Sequence, residues 1–209
     1  MAEHPIPLAD WSRAPQFRLF RGYDRPHYAL TTRLDVTHLM ARRVAAGLSP
    51  YRACLFAIGC GLHAVPALLM RFRGDQVLRH DRTDLSMTVP LQSGDFTYAY
   101  VPFAPDFPVF EAEAMRRIEA ARTQQGLEAN SGARDDVAYL SCLPWLDFTA
   151  LDNALPHADD CIPRVSWGKI VPEGDRYRMA MAIQVHHALV DGAHLGQFFD
   201  QLQRCLDGL

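Results

Sequence analysis

Charge of either sign is balanced in this 209-residue chain, where 21 Lys and Arg face 24 Asp and Glu for a formal charge of −3. The arginines are scattered rather than clustered, so the basic stripe that nucleic acid or an anionic membrane requires is missing. We read them as solvated faces. No long hydrophobic run survives inspection, since residues 53–69 are broken by Gly59, Gly61, His63 and Pro66, which argues against a membrane span. Residues 1–11 are polar and proline-bearing with no apolar core, so no secretory signal is expected. Cysteine is sparse and unpaired in pattern: Cys54, Cys60, Cys142, Cys161 and Cys205 are an odd set without CxxC spacing. Free thiols in a reducing, cytoplasmic compartment are the expectation. What is present is ordinary globular material, 49% hydrophobic and 22% charged, enough to bury a sizeable core.

Alternation of Tyr28, Leu30, Thr32, Leu34 and Val36 predicts a strand. Asp35 or Thr37 can cap a following helix that carries Leu39, Met40 and Val44 and ends at Gly47. Pro50 opens a second helix to about residue 65, apolar nearly all round and therefore buried on most sides. Gly74-Asp75 predicts a hairpin between 68–73 and 76–80, and strands follow at 85–91 and 96–101. Pro105 and Pro108 open a helix to about residue 123, and the polar, glycine-bearing segment 124–136 reads as a loop. Further strands are expected at 137–142, 164–171 and 177–187, and a last helix over 193–206. With no strict alternation and no repeat, the expected fold is α+β: one domain, 1–209, on a large mixed β-sheet flanked by helices.

The chemistry concentrates in Gln184-Val-His-His-Ala-Leu-Val-Asp-Gly-Ala-His194, an apolar strand that halts at a histidine pair and turns on Asp-Gly. Neutral imidazole, with an ordinary pKa of roughly 6.5, can take a proton and return it within one turnover. Transfer from a thioester to a hydroxyl needs both steps, and His187 could supply them. Asp191 would hold the loop or fix the imidazole, and Gly192 would allow a backbone that a side chain forbids. A bland reading competes: a satisfied histidine and an ordinary Asp-Gly turn. His187, Asp191 and His194 also offer ligand types at helical spacing, but the change from strand to turn to helix breaks it, so no metal is expected.

The rest of the chain decides between these readings. Leu140-Ser141-Cys142-Leu143-Pro144-Trp145, Val165-Ser166-Trp167-Gly168-Lys169 and Trp11-Ser12-Arg13 stand in order with the histidine motif. Together they resemble the chloramphenicol acetyltransferase family nearly end to end, with its CoA-dependent acyltransferase fold. The resemblance implies an acetyl-CoA-dependent O-acetyltransferase acting on chloramphenicol, with His187 as general base and direct transfer through a tetrahedral intermediate. Asp191 would serve the site through an ion pair with Arg13, and Ser141 would donate to the oxyanion. Ser166 would help hold a bound water, and Lys169 would lie near coenzyme A. It also implies acetyl-CoA as co-substrate with no tightly bound cofactor, and a homotrimer with its sites between subunits.

The likeness thins where the acceptor would bind. Leu151 stands where an aromatic is typical and Asn153 where an aliphatic is, and Leu48-Ser49-Pro50-Tyr51 lacks a family lysine although Arg52 is close. Another hydroxylated acceptor, or a small-molecule-binding protein without turnover, therefore stays open. Phe20, Tyr23, Tyr100 and Phe103 are candidates for an apolar pocket. His186 is expected to be structural, His194 to sit on the first helical turn, and Trp11 and Trp145 to be core.

Overall fold

A computed structural model describes residues 2–124, 126–127, 129–130 and 134–209. The chain runs β1 (Glu3–Ile6), α1 (Ala14–Arg21), β2 (His27–Asp35), α2 (Thr37–Ala46), α3 (Pro50–Ala64), β3 (Met70–Arg73), β4 (Gln76–His80), β5 (Asp84–Pro90) and β6 (Phe96–Val101). It continues with α4 (Phe107–Arg122), β7 (Val137–Cys142), β8 (Arg164–Glu173), β9 (Arg176–His186) and α5 (Gly192–Asp207). Six strands form one mixed sheet in the order β2-β9-β8-β7-β5-β6. β5, β7 and β8 run parallel, and the remaining neighbours are antiparallel. The expected mixed α+β architecture is therefore present.

Period-2 alternation divides that sheet into two unlike faces. Leu85, Met87, Leu140, Val165, Met181 and Ile183 belong to one buried cluster with Leu39, Phe56, Phe110 and Phe198 of the helices. The opposite face presents Ser86, Tyr139, Ser141 and Ser166 to a cavity. α3 lies in the middle of the buried side, which is why it needs no polar face: every residue from Ala53 to Gly59 is buried. The Ser49 hydroxyl caps it by accepting from the Arg52 N–H, and Pro50 sits in its first turn.

The helix boundaries follow local chemistry. Gly47, at φ 67°, ends α2 in the left-handed region, as the sequence predicts. Its N-cap is Val36, while Asp35 Oδ1 accepts from the Thr37 N–H at 3.0 Å. The Asp106 carboxylate caps α4 by accepting from Val109 N–H. The 124–136 loop lies partly outside the described residues; Asn130 within it donates to the Arg134 carbonyl and to the Tyr139 hydroxyl.

Three features depart from expectation. Residues 3–6 form an edge strand in a three-stranded sheet, β1-β4-β3, where prolines are tolerated. α1 carries little sequence signal beyond Pro15 in its first turn, because it is short and buries only Ala14 and Phe17. The third is Arg71, fully buried rather than solvated. Its guanidinium donates to the carbonyls of Leu68, Met70, Asp135 and Val137, which stitches β3 to the start of β7. A buried cation survives there because each of its three nitrogens donates to at least one carbonyl.

Candidate active site

β9 ends at His186, and the chain then turns over Pro26, whose carbonyl accepts the His187 N–H at 2.8 Å. Arg13, entering α1, forks into this turn. It donates to the carbonyls of His187 at 2.8 Å and Ala188 at 3.2 Å, and to Asp191 Oδ2 at 2.5 Å. The same carboxylate caps α5 through its other oxygen, which accepts from the N–H groups of Ala193 and His194. Burial opposes its ionisation, but His194 and Arg13 outweigh burial and hold Asp191 below the usual carboxylate range. Asp191 therefore fixes backbone on both sides of the turn, lies 3.0 Å from His194 Nδ1 and makes no bond to the His187 imidazole.

The imidazole is fixed by other means. Nδ1 lies 3.0 Å from the Val190 carbonyl. A carbonyl only accepts, so Nδ1 carries the proton and Nε2 keeps its lone pair. The ring stacks on Phe20 at 3.8 Å between centroids and 20° between planes, and Tyr28 closes its other flank at 4.8 Å. Tyr23 packs edge-on to Phe20. No partner meets Nε2 among the described residues. A histidine in this tautomer, held on three sides and open at Nε2, is built to accept a proton.

Alternation in the sequence marks Tyr28 only as a strand residue. Its pairing with Val185 in the β2–β9 register brings it beside His187. Its hydroxyl is buried without a partner among the described residues, and burial, with Asp191 near, pushes it up to about 12. Gln184 was also given no role. It donates to Asp152 Oδ1 at 2.6 Å and accepts from Asn153 N–H at 2.8 Å, clamping the loop over the sheet.

Ser141 and Ser166 face each other across β7 and β8 and line a cavity of about 830 Å³. His187 is not among its lining residues. The register gives the reason: Ser141 opposes Ser166, and Ser166 opposes Ala182. His187 lies five residues beyond Ala182, so roughly 17 Å along the strand and 10 Å across it separate the two, about 20 Å in all. Serine and histidine side chains cannot close that gap. Within one chain the structure brings Arg13, Asp191 and His187 together, and it leaves Ser141 and Ser166 apart from them.

Several expectations are corrected. Gly192 has no left-handed φ, and a Cβ added to it would meet nothing within 4 Å; as the first residue of α5 it takes ordinary helical backbone. Trp145 is 69% exposed rather than core, because it rides a turn closed by the Leu146 N–H to the Leu143 carbonyl. Trp11 is partly buried against Phe17. Phe103 belongs to the core, against Phe56, Phe110 and His63. Tyr100 lines a small cavity beside Arg116 and Arg117, and it opposes Ser86 in the β5–β6 register. Lys169 is exposed, with its N–H on the Leu146 carbonyl. His186 is buried beside His27, and His194 accepts from Asp191 N–H on the first turn of α5. Among the described residues no His, Cys, Asp and Glu group is placed to hold a metal ion, and no helix is long and apolar enough to cross a membrane.

Comparison with known proteins converges on one family. The family model for chloramphenicol acetyltransferase matches residues 1–203. The chain is 26% identical to chloramphenicol acetyltransferase 2 of Escherichia coli, over 98% of this chain and 97% of that one. It is 25% identical to chloramphenicol acetyltransferase 3 of Escherichia coli, over 94% and 93%. A solved chloramphenicol acetyltransferase superposes with a TM-score of 0.92, at 24% identity, over 98% of this chain and 100% of that one. A dihydrolipoamide acetyltransferase from Azotobacter vinelandii shares the fold at a TM-score of 0.68 and 22% identity, over 93% of this chain and 86% of that one.

Proposed function

The chain belongs to the chloramphenicol acetyltransferase family, a family of acyltransferases, and from that premise we propose that it acetylates chloramphenicol from acetyl-CoA and so inactivates the antibiotic. The observation that carries the reading is His187, with Nδ1 tied to the Val190 carbonyl and Nε2 left without a partner among the described residues. Nε2 takes the proton from the acceptor hydroxyl, whose oxygen attacks the thioester carbonyl. The tetrahedral oxyanion accepts a hydrogen bond from Ser141, and collapse expels the thiolate of coenzyme A. His187 returns its proton to that sulfur. Acetyl-CoA is a co-substrate in this scheme, and nothing needs to stay tightly bound.

The roughly 20 Å between Ser141 and His187 supports a site completed by a second copy of the chain. We place each site between neighbours of a homotrimer, one protomer giving His187 and the next giving Ser141 and Ser166. Lys169, exposed at the irregularity in the middle of the Ser166 strand, would meet the phosphates of coenzyme A. We assign the enzyme to the cytoplasm, where acetyl-CoA and reduced thiols coexist.

A different hydroxylated acceptor is the second reading, because Asn153 lines the cavity holding Ser141 at a position where the family typically carries an aliphatic residue. Thiol release from acetyl-CoA separates the readings. Release with chloramphenicol that is abolished in His187→Ala supports the proposal, whereas near-normal turnover in that variant removes the mechanism. Release only with other alcohols moves the acceptor, and saturable binding with no release makes the chain a binding protein.

A further inference from the structure

α3 and α5 carry two thiols that acyl transfer does not use. Cys60 and Cys205 hold their sulfurs 2.8 Å apart, and both residues are half-buried. That separation exceeds the roughly 2.05 Å of a disulfide bond by less than an ångström. The two helices are pressed together beside the pair: a Cβ on Gly61 would lie 2.8 Å from the Phe198 ring and 3.0 Å from the Phe198 carbonyl oxygen. The remaining cysteines are placed differently, Cys54 and Cys161 buried and Cys142 at the end of β7.

We propose that Cys60 and Cys205 form a reversible disulfide that staples α5 to α3 when the protein meets a peroxide. The Cys205 sulfur attacks one oxygen of hydrogen peroxide, giving a sulfenic acid and one water. The Cys60 sulfur then attacks the sulfenic sulfur, forming the S–S bond and releasing a second water. Two thiols and one peroxide thus become one disulfide and two waters, with two electrons passing from sulfur to oxygen. The roles of the two sulfurs can be exchanged without altering the product, since each lies 2.8 Å from the other. A small thiol such as glutathione reverses the bond by exchange.

The staple closes the long loop between residues 60 and 205, so it restrains the unfolded chain. It lies at the end of α5 remote from Asp191, which leaves the histidine turn untouched. Oxidation should therefore raise Tm by about 5–10 °C and leave turnover unchanged.

The test oxidises the folded protein with hydrogen peroxide, alkylates the remaining thiols with iodoacetamide and maps the peptides by mass. The expected result is three alkylated cysteines instead of the five free ones, a cross-linked Cys60–Cys205 peptide, and a Tm rise that dithiothreitol abolishes. Cys205→Ser should show neither cross-link nor Tm rise, and Cys60→Ser gives the same reading should the first variant fold poorly. Five alkylated cysteines after oxidation, sulfinic acid at Cys205, or a cross-link to another cysteine overturns the proposal. The readout is covalent, so its failure is independent of whether the acetyl-transfer reading holds.

Discussion

Ser141 lies on β7 and His187 just past the end of β9 in the same sheet, and they point into different spaces, the serine into the cavity of about 830 Å³ and the histidine against Phe20 and Tyr28. The sheet register fixes that separation, and a rotamer change cannot undo it. If both residues act in one reaction, they act across two chains. The consequences can be tested one contact at a time.

Arg13 binds two carbonyls of the histidine turn as well as Asp191, so its role is geometric. Arg13→Lys keeps the charge and loses the fork. We expect kcat to fall by about tenfold or more, with KM for acetyl-CoA little changed, at a stability cost of about 1–3 kcal/mol. Steady-state kinetics and thermal melts check this. A variant within twofold of the parent in kcat would make the pair an incidental surface contact.

Gly168 is where the loop after β7 touches β8. A Cβ there would lie 2.5 Å from the Leu146 carbonyl oxygen, a backbone atom that cannot swing away, and 3.1 Å from the Phe148 ring. Gly168→Ala should cost about 1–3 kcal/mol and displace the Ser141–Lys169 region. Gly192→Ala, with open space around it in this chain, should change stability by less than about 0.5 kcal/mol. Denaturant titration of the two variants tests the contrast, and equal losses would contradict it.

His186 supplies a pH dependence. Burial, helped by the neighbouring His27, lowers it from 6.5 to about 4. In that window the unfolded chain binds the proton and the folded chain does not, so stability rises with pH. The contribution is complete above about pH 6.5 and is lost as pH falls towards 4, at most about 3 kcal/mol. His186→Gln should flatten the stability curve between those limits. An unchanged slope would mean that another group carries it.

The sequence made β7, β9 and α5 readable because their apolar periods are regular and their ends carry strong stop signals such as Asp191 and Gly192. The Arg13–Asp191 pair was legible only through the family resemblance, and the structure contains it. Phe20 and Tyr28 were harder for separate reasons. Phe20 lies on a helix with little buried surface to betray it, and Tyr28 reaches the histidine only through an antiparallel register that no local pattern encodes. Trp145 misled because size and apolarity predict burial only when a partner surface exists, and its turn offers none within this chain.

The central claim is that one protomer's His187 works with its neighbour's Ser141. Neither His187→Ala nor Ser141→Ala should be active alone, the serine variant losing roughly 10²–10³ in kcat. Co-refolded in equal amounts, random assortment gives about a quarter of the interfaces one intact histidine and one intact serine. The mixture should release thiol from acetyl-CoA at about that fraction of the parent rate. A mixture no more active than the variants apart would contradict a shared site.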